Sequence, residues 1–215
     1  AERAAQALPV PPKTDLLGTE ENLFSDAMKR GFERLYELFV RAPWLGSLVN
    51  PRIAGGDLLE HSFVDLEHLL SQVMSKADGA ELSELAVAAQ GLAKAAEILA
   101  LRVTLVATNV PYLGRGKQDD VLSDYCDRVH HDARADLGTC FIDRCTSFLQ
   151  KGGSAALVVP QNWLFQGTYK HFRKRLLQNK TLRYAARLGE HGFESPQAAG
   201  AFTALITFSD GVPAD

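Results

Sequence analysis

The stretch Leu101-Arg102-Val103-Thr104-Leu105-Val106-Ala107-Thr108-Asn109-Val110-Pro111-Tyr112 decides how the rest of the chain is read. The run from Leu101 to Thr108 is rich in β-branched residues and short enough for a buried strand. Asn109-Val110-Pro111-Tyr112 then falls at the carboxyl end of that strand, where open α/β sheets bind ligands. The residue types suggest a ligand class. A planar exocyclic amine can attack an electrophile once its lone pair is freed, and two acceptors can draw its hydrogens out of the ring plane. Asn109 brings a side-chain carbonyl and Val110 a backbone one. Pro111 restricts Val110 to extended geometry and fixes its own φ, which holds the carbonyl between them in one direction. Tyr112 offers a flat face for a nucleobase, a stacking interaction of roughly 1–3 kcal/mol. A tight turn after a buried strand, with Tyr112 as a rim aromatic, accounts for the same four residues.

A length of 215 residues, 46% of them hydrophobic, suits one domain or one and a half and suffices for a substantial core. The net charge of -3 leaves any nucleic-acid contact to a local basic patch. Cys126, Cys140 and Cys145 are odd in number and lack paired spacing, which points to free thiols in a reducing compartment. No apolar stretch reaches the length of a membrane span and no secretory pattern opens the chain, so a cytoplasmic location is expected. The chain opens with Ala1-Glu2-Arg3, without a methionine, and ends soon after an apolar strand. Either processing or excision from a longer polypeptide would give such ends, and excision is expected.

Residues 1–15, with Pro9, Pro11 and Pro12, read as an extended tail or linker. A helical region is expected over 16–100. Phe24, Met28, Phe32, Leu35 and Phe39 form one apolar face up to Pro43, and Gly46 to Pro51 looks like a loop. A second helix is expected over 58–75 and an alanine-rich third over 81–100, whose small side chains permit close packing. From residue 101 to 215 strands alternate with helices. Helices are expected at 119–130, 135–150 and 165–178, with Lys151-Gly152-Gly153 ending the second. Strands are expected at 101–108, 155–159, 182–188 and 201–208. This is the grammar of a doubly wound α/β sheet of which the second half is present, preceded by a helical region.

Three further constellations carry alternatives. The loop Leu113-Gly114-Arg115-Gly116-Lys117-Gln118 could bring Arg115 and Lys117 to phosphates, or be a solvated turn. Arg173 and Lys174, within the basic run Lys170 to Arg175, could track a DNA backbone, or form the outer face of an amphipathic helix. Cys126, His130, His131, Cys140 and Cys145 have ligand chemistry but not zinc-site spacing, so no metal is expected and buried thiols are. There is no nucleophile elbow and no phosphate-binding loop ending in lysine and serine or threonine. Gly55-Gly56-Asp57 is too short a pattern to indicate nucleotide binding. No strand leading into a glycine-rich turn is read before residue 101, where a nucleotide-like cofactor is normally held.

The order of these elements resembles the adenine-specific, amino-group DNA methyltransferases, especially the large methylases of BREX (PglX-like) phage defence and of fused restriction-modification systems. The resemblance rests on Asn109-Val110-Pro111-Tyr112, on Ala135-Asp136-Leu137 through Phe141-Ile142-Asp143-Arg144 to Gly152-Gly153, on Pro160-Gln161-Asn162-Trp163-Leu164 and on Phe172 to Leu177. The stretch from Leu35-Tyr36-Glu37-Leu38-Phe39 to Asn50-Pro51 is similar to the insert that precedes the catalytic strand. The resemblance implies a Rossmann-like methyltransferase sheet and methyl transfer from S-adenosylmethionine to the amino group of adenine in DNA, the base being extruded from the duplex. It implies that Asn109 and the Val110 carbonyl hold the amine, that Tyr112 stacks on the base, and that Phe193 meets the base from its other side. Phe193 otherwise packs at a strand turn. Val110 stands where the family more often has proline. The family's phenylalanine-and-glycine cofactor motif is not read in this chain, so the isolated chain is expected to bind S-adenosylmethionine poorly. Partners implied are DNA and defence or restriction subunits. A glutamine-amide protein methyltransferase and a catalytically inactive assembly module remain the alternatives.

Overall fold

The computed structural model describes residues 33, 36–55, 80–189 and 202–211. Within them, side chains are described for 33, 36–53, 87–189 and 202–211. The expected tail at 1–15, the helix at 58–75, most of the Phe24-to-Phe39 helix and Phe193 lie outside the described residues. The chain divides into two compact units, Ala1–Leu101 and Arg102–Asp215.

The first unit is helical where described: α1 (Ala42–Leu45), a 3-10 turn at Gly46–Leu48, α2 (Pro51–Gly55) and α3 (Ala80–Ala100). The expected loop at 46–51 is thus partly helical. Pro51 opens a helix, a position that suits it because the first helical residue has no intrahelical use for an N–H. Pro43 likewise lies in the first turn of α1 instead of ending the helical region. Ala93 and Ala96 of α3 are buried against Phe39, with Leu38, Leu92 and Leu99 around them. The small side chains allow this close approach. Arg52 donates its Nε hydrogen to the Ala100 carbonyl at 2.6 Å, satisfying an orphan acceptor at the end of α3.

The second unit contains β1 (Val103–Asn109), α4 (Asp120–Val129), α5 (Leu137–Ser147), β2 (Leu149–Pro160), α6 (Lys170–Asn179), β3 (Lys180–Gly189) and β4 (Thr203–Asp210). The sheet order is β1-β2-β4-β3. β1 and β2 are parallel and joined through α4 and α5. β4 is inserted between β2 and β3 and runs antiparallel to both. This is a mixed α/β unit of Rossmann-like type, with the ends of β1 and β2 on one edge. Asp119 and Asp136 start α4 and α5 by accepting hydrogen bonds from the N–H groups of Leu122 and Gly138.

One face of β2 and β4 builds the core. Ala155, Leu157 and Val159 alternate on β2, and Ala204, Ile206 and Phe208 on β4, all buried. Trp163 seals it, edge-on to Phe172 at 5.8 Å and tilted against Phe208 at 6.1 Å. Cys126, Cys140 and Cys145 are free and buried, as expected. The neighbouring Cys126 thiol and burial hold the Cys140 thiol protonated, and its Sγ donates to the Ala133 carbonyl at 3.5 Å.

Four expectations need correction. Gly152 and Gly153 do not end a helix: α5 stops at Ser147, and both glycines lie in β2, which begins at Leu149. Gly152 has φ +79°, and a Cβ on Gly153 would stand 2.9 Å from the Val103 carbonyl oxygen, so the pair lets β2 kink past β1 where their register shifts. The helix expected from 165 begins only at Lys170, because Gln161–Leu164 and Gly167–Tyr169 form separate 3-10 turns. The strands expected at 182–188 and 201–208 run over Lys180–Gly189 and Thr203–Asp210. Finally, β1 is not buried: among the described residues it is an edge strand, and Leu105 is 62% exposed.

Candidate active site

Asn109 is the last residue of β1, paired with Val158 of β2, and the Val110 N–H still donates to the Val158 carbonyl at 3.3 Å. The ladder therefore fixes the backbone up to the point where Pro111 takes over. Val110 is buried, whereas Asn109 and Pro111 are exposed at the carboxyl edge. Tyr112 folds back over this edge, and its hydroxyl donates to Asn109 Oδ1 at 3.2 Å. Burial raises the Tyr112 hydroxyl to about 12, and the nearby Asp136 carboxylate adds to the shift. The phenol is thus a neutral donor throughout the physiological range. The amide oxygen proposed from sequence for an amine is, in this conformation, occupied by the tyrosine.

Beside Tyr112 opens a hollow of about 540 Å³ lined by Leu113, Gly114, Arg115, Gly116, Lys117 and Asp136. Its walls are tied together by the backbone. Gly114 and Asp136 form an isolated antiparallel bridge, with Arg115 N–H donating to Ala135 at 3.0 Å and Leu137 N–H to Leu113 at 2.9 Å. Burial raises the Asp136 carboxyl above the usual range, against the pull of backbone N–H groups from Gly138 and Leu113. Asp136 was read only as part of the Ala135-Asp136-Leu137 motif and was given no place in the site. An aspartate just ahead of an apolar helix was the available signal, but it indicates a cap and gives no hint of a tertiary partner.

The four basic residues expected at phosphates divide into two kinds. Arg115 is ion-paired to Asp127 at 2.6 Å, and Arg173 donates to the Trp163 and Gln166 carbonyls, both at 2.6 Å. Lys117 lines the hollow and is exposed, and Lys174 is exposed on α6. His130, considered among metal ligands, instead pairs with Asp143 at 2.8 Å, and Arg175 pairs with the other oxygen of Asp143 at 2.8 Å. Among the described residues no group of three or more His, Cys, Asp or Glu side chains is placed to hold a metal ion. None of the helices described is long and apolar enough to cross a membrane.

The parallel β1-β2 pair thus ends in Asn109, the Val110 carbonyl and the Tyr112 ring, on an α/β unit. The family model of Eco57I restriction-modification methylases matches residues 67–193, and the chain belongs to that family. It is 29% identical over 162 residues to the adenine-specific methyltransferase BrxX of Escherichia coli O9:H4 (strain HS), covering 74% of this chain and 13% of BrxX. It is 26% identical over 105 residues to the adenine-specific methyltransferase PglX of Lacticaseibacillus casei (strain Zhang), covering 49% of this chain and 9% of PglX. The chain thus spans about a tenth of the length of these curated relatives. Two solved structures superpose in part. A protein described as a class I S-adenosylmethionine-dependent methyltransferase from Listeria monocytogenes matches with a TM-score of 0.42 and 14% identity, over 71% of this chain and 51% of its own. The M protein of the type I restriction enzyme EcoKI matches with a TM-score of 0.36 and 19% identity, over 71% and 38%.

Proposed function

We propose that this chain forms the amine-binding half of an adenine-specific DNA methyltransferase that acts in phage defence or restriction-modification. The observation that supports it best is the position of Asn109 as the terminal residue of β1, one residue from a buried, ladder-bonded Val110 and under the Tyr112 hydroxyl. S-adenosylmethionine, as the methyl donor, supplies an electrophilic sulfonium methyl. The described residues do not fit as its pocket. The N-termini of α4 and α5, which would suit the donor's carboxylate, are already occupied by the carboxylates of Asp119 and Asp136. The donor is therefore assigned to residues beyond these, and only the acceptor side is derived.

On that side the adenine amine displaces the Tyr112 hydroxyl from Asn109 Oδ1, so that one hydrogen meets the amide oxygen and the other the Val110 carbonyl. Drawing both hydrogens to one side turns the nitrogen lone pair out of conjugation with the ring. An amide oxygen is too weak a base to remove a proton, so Asn109 orients the amine without deprotonating it. The freed Tyr112 ring stacks on the extruded base, offsetting part of the few kcal/mol that extrusion costs. In this reading Phe193 takes the opposite face, and Lys117 and Lys174 are better candidates for phosphates than Arg115 and Arg173, which are held by protein acceptors.

The test is isotopic methyl incorporation from S-adenosylmethionine by the native full-length polypeptide offered DNA and protein together. Label in DNA is expected. Label in glutamine amides of protein, or none in either with the fold intact, would replace this reading by one of its two alternatives.

A further inference from the structure

We propose that Arg187, near the carboxyl end of β3, binds a backbone phosphate of the DNA a few nucleotides from the target adenine, positioned for it by Gln161 and Phe165. This rests on the reading of the β1 end as an adenine site in DNA, and it adds a strand contact to that site. β4 runs antiparallel to both β2 and β3, so β3 points the same way as β2 and β1. Its carboxyl end therefore lies on the edge that holds Asn109. The register crosses the sheet from Asn109 to Val158, Leu205 and Ala186. Three strand spacings of about 4.8 Å put the Ala186 backbone roughly 14 Å from Asn109, and Arg187 is the next residue. Phosphates of one strand recur about every 3.4 Å of duplex axis, so this span is a few nucleotides long.

Two contacts fix the guanidinium and leave its charge unpaired. Arg187 Nε donates to Gln161 Oε1 at 2.8 Å, and the guanidinium lies over the Phe165 ring, 5.4 Å from its centroid. Gln161 is itself buried, and its backbone N–H donates to the Phe202 carbonyl at 2.9 Å, which ties the end of β2 to the residue before β4. The amide that holds Arg187 is thus anchored in the sheet, and being neutral it does not cancel the charge. Among the described residues the η nitrogens of Arg187 have no hydrogen-bond or carboxylate partner. Arg115 and Arg175, in contrast, face carboxylates at 2.6 and 2.8 Å. A planar guanidinium fixed through Nε keeps its forked η hydrogens for a bidentate acceptor, and phosphate oxygens match that fork. Phe165 is 54% exposed and Arg187 is exposed as well, so the stacked pair stands at the surface, where it can meet a ligand, and not in the core.

The test is the salt dependence of DNA binding by the native full-length polypeptide, read by fluorescence anisotropy on a random-sequence duplex. Arg187→Gln is expected to weaken binding roughly tenfold, the size of one charge-assisted hydrogen bond. It should also lower the steepness of log Kd against log salt by about 0.9, the loss of one phosphate contact. Arg187→Lys keeps the charge and loses the fork, so it should bind severalfold more weakly than the parent with the parent's slope. Phe165→Ala should behave like Arg187→Lys, because the charge stays and its platform is gone. With genomic DNA as substrate, Arg187→Gln should raise KM for methylation and leave kcat within a fewfold of the parent. An unchanged slope in Arg187→Gln, a changed preference among DNA sequences as a base contact would give, or loss of the fold would overturn the proposal. If the parent methylates DNA and the slope does not change, this inference fails alone. If the parent neither binds nor methylates DNA, the reading of the site fails and this inference with it.

Discussion

At the scale of single residues, the informative contact is the one between the Tyr112 hydroxyl and Asn109 Oδ1. In the proposed reading the adenine amine takes this oxygen in place of the tyrosine hydroxyl, so substrate exchanges one hydrogen bond for another. Tyr112→Phe removes the competitor and keeps the aromatic face; its kcat/KM is expected to stay within a fewfold of the parent or rise. Tyr112→Ala removes the face and should lose about 1–3 kcal/mol of base stacking, a drop of roughly 5- to 150-fold in kcat/KM. Steady-state kinetics on one DNA duplex checks both, and equal losses in the two variants would mean that the ring does not stack. The tetrapeptide was legible in sequence because its chemistry is contiguous. Asp136 was not, because its backbone bridge to Gly114 is tertiary, and neither Arg115 nor Arg173 carries in sequence any sign that Asp127 or the Trp163 carbonyl holds it.

At the scale of elements, one device fits β2 against β1 and a second ties the helices of this unit together. Gly153 passes so close to the Val103 and Thr104 carbonyls that a methyl group has no room. Gly153→Ala is expected to cost about 1–3 kcal/mol, read as a lowered urea midpoint with an unchanged slope. The glycine pair was misread from sequence as a helix stop because freedom of φ is needed equally at a helix end and at a kinked strand. The second device is Asp143 of α5, which joins His130 at the end of α4 to Arg175 of α6. Burial alone would raise its carboxyl, but the hydrogen bonds from His130 and Arg175 hold it below the ordinary 3.8. A depressed carboxylate stabilises fully above its ordinary value and loses that contribution as pH falls through the lower folded one. Melting temperature should therefore fall more steeply below about pH 4 in the parent than in Asp143→Asn. Parallel curves would remove Asp143 from the account.

At the scale of the whole molecule, β1 is the telling strand. Its sequence is apolar on both faces, as in strands covered on both sides, yet among the described residues its outer edge has no neighbour and Leu105 is exposed. The sequence pattern led to a buried strand, and the pattern is sound physics; burial depends on neighbours that a strand's own residues do not specify. We expect further chain to pair with this edge in the native full-length polypeptide. Amide exchange at Thr104 to Thr108 should then be slow there and fast in this chain alone, and equal rates would refute the pairing. The alternation of strands and helices was readable from residue 101 onward, whereas the antiparallel insertion of β4 depends on long-range pairing. The central claim is that the end of β1 holds the amino group of adenine for methylation. It is tested most directly by digesting DNA exposed to the native full-length polypeptide and S-adenosylmethionine, and measuring N6-methyl-2′-deoxyadenosine by mass spectrometry, with Asn109→Ala in parallel. The modified nucleoside is expected with the parent and at least 100-fold less with a folded Asn109→Ala, about the effect of removing one hydrogen-bonding group from a reacting centre. Its appearance at equal levels with both proteins would contradict the account.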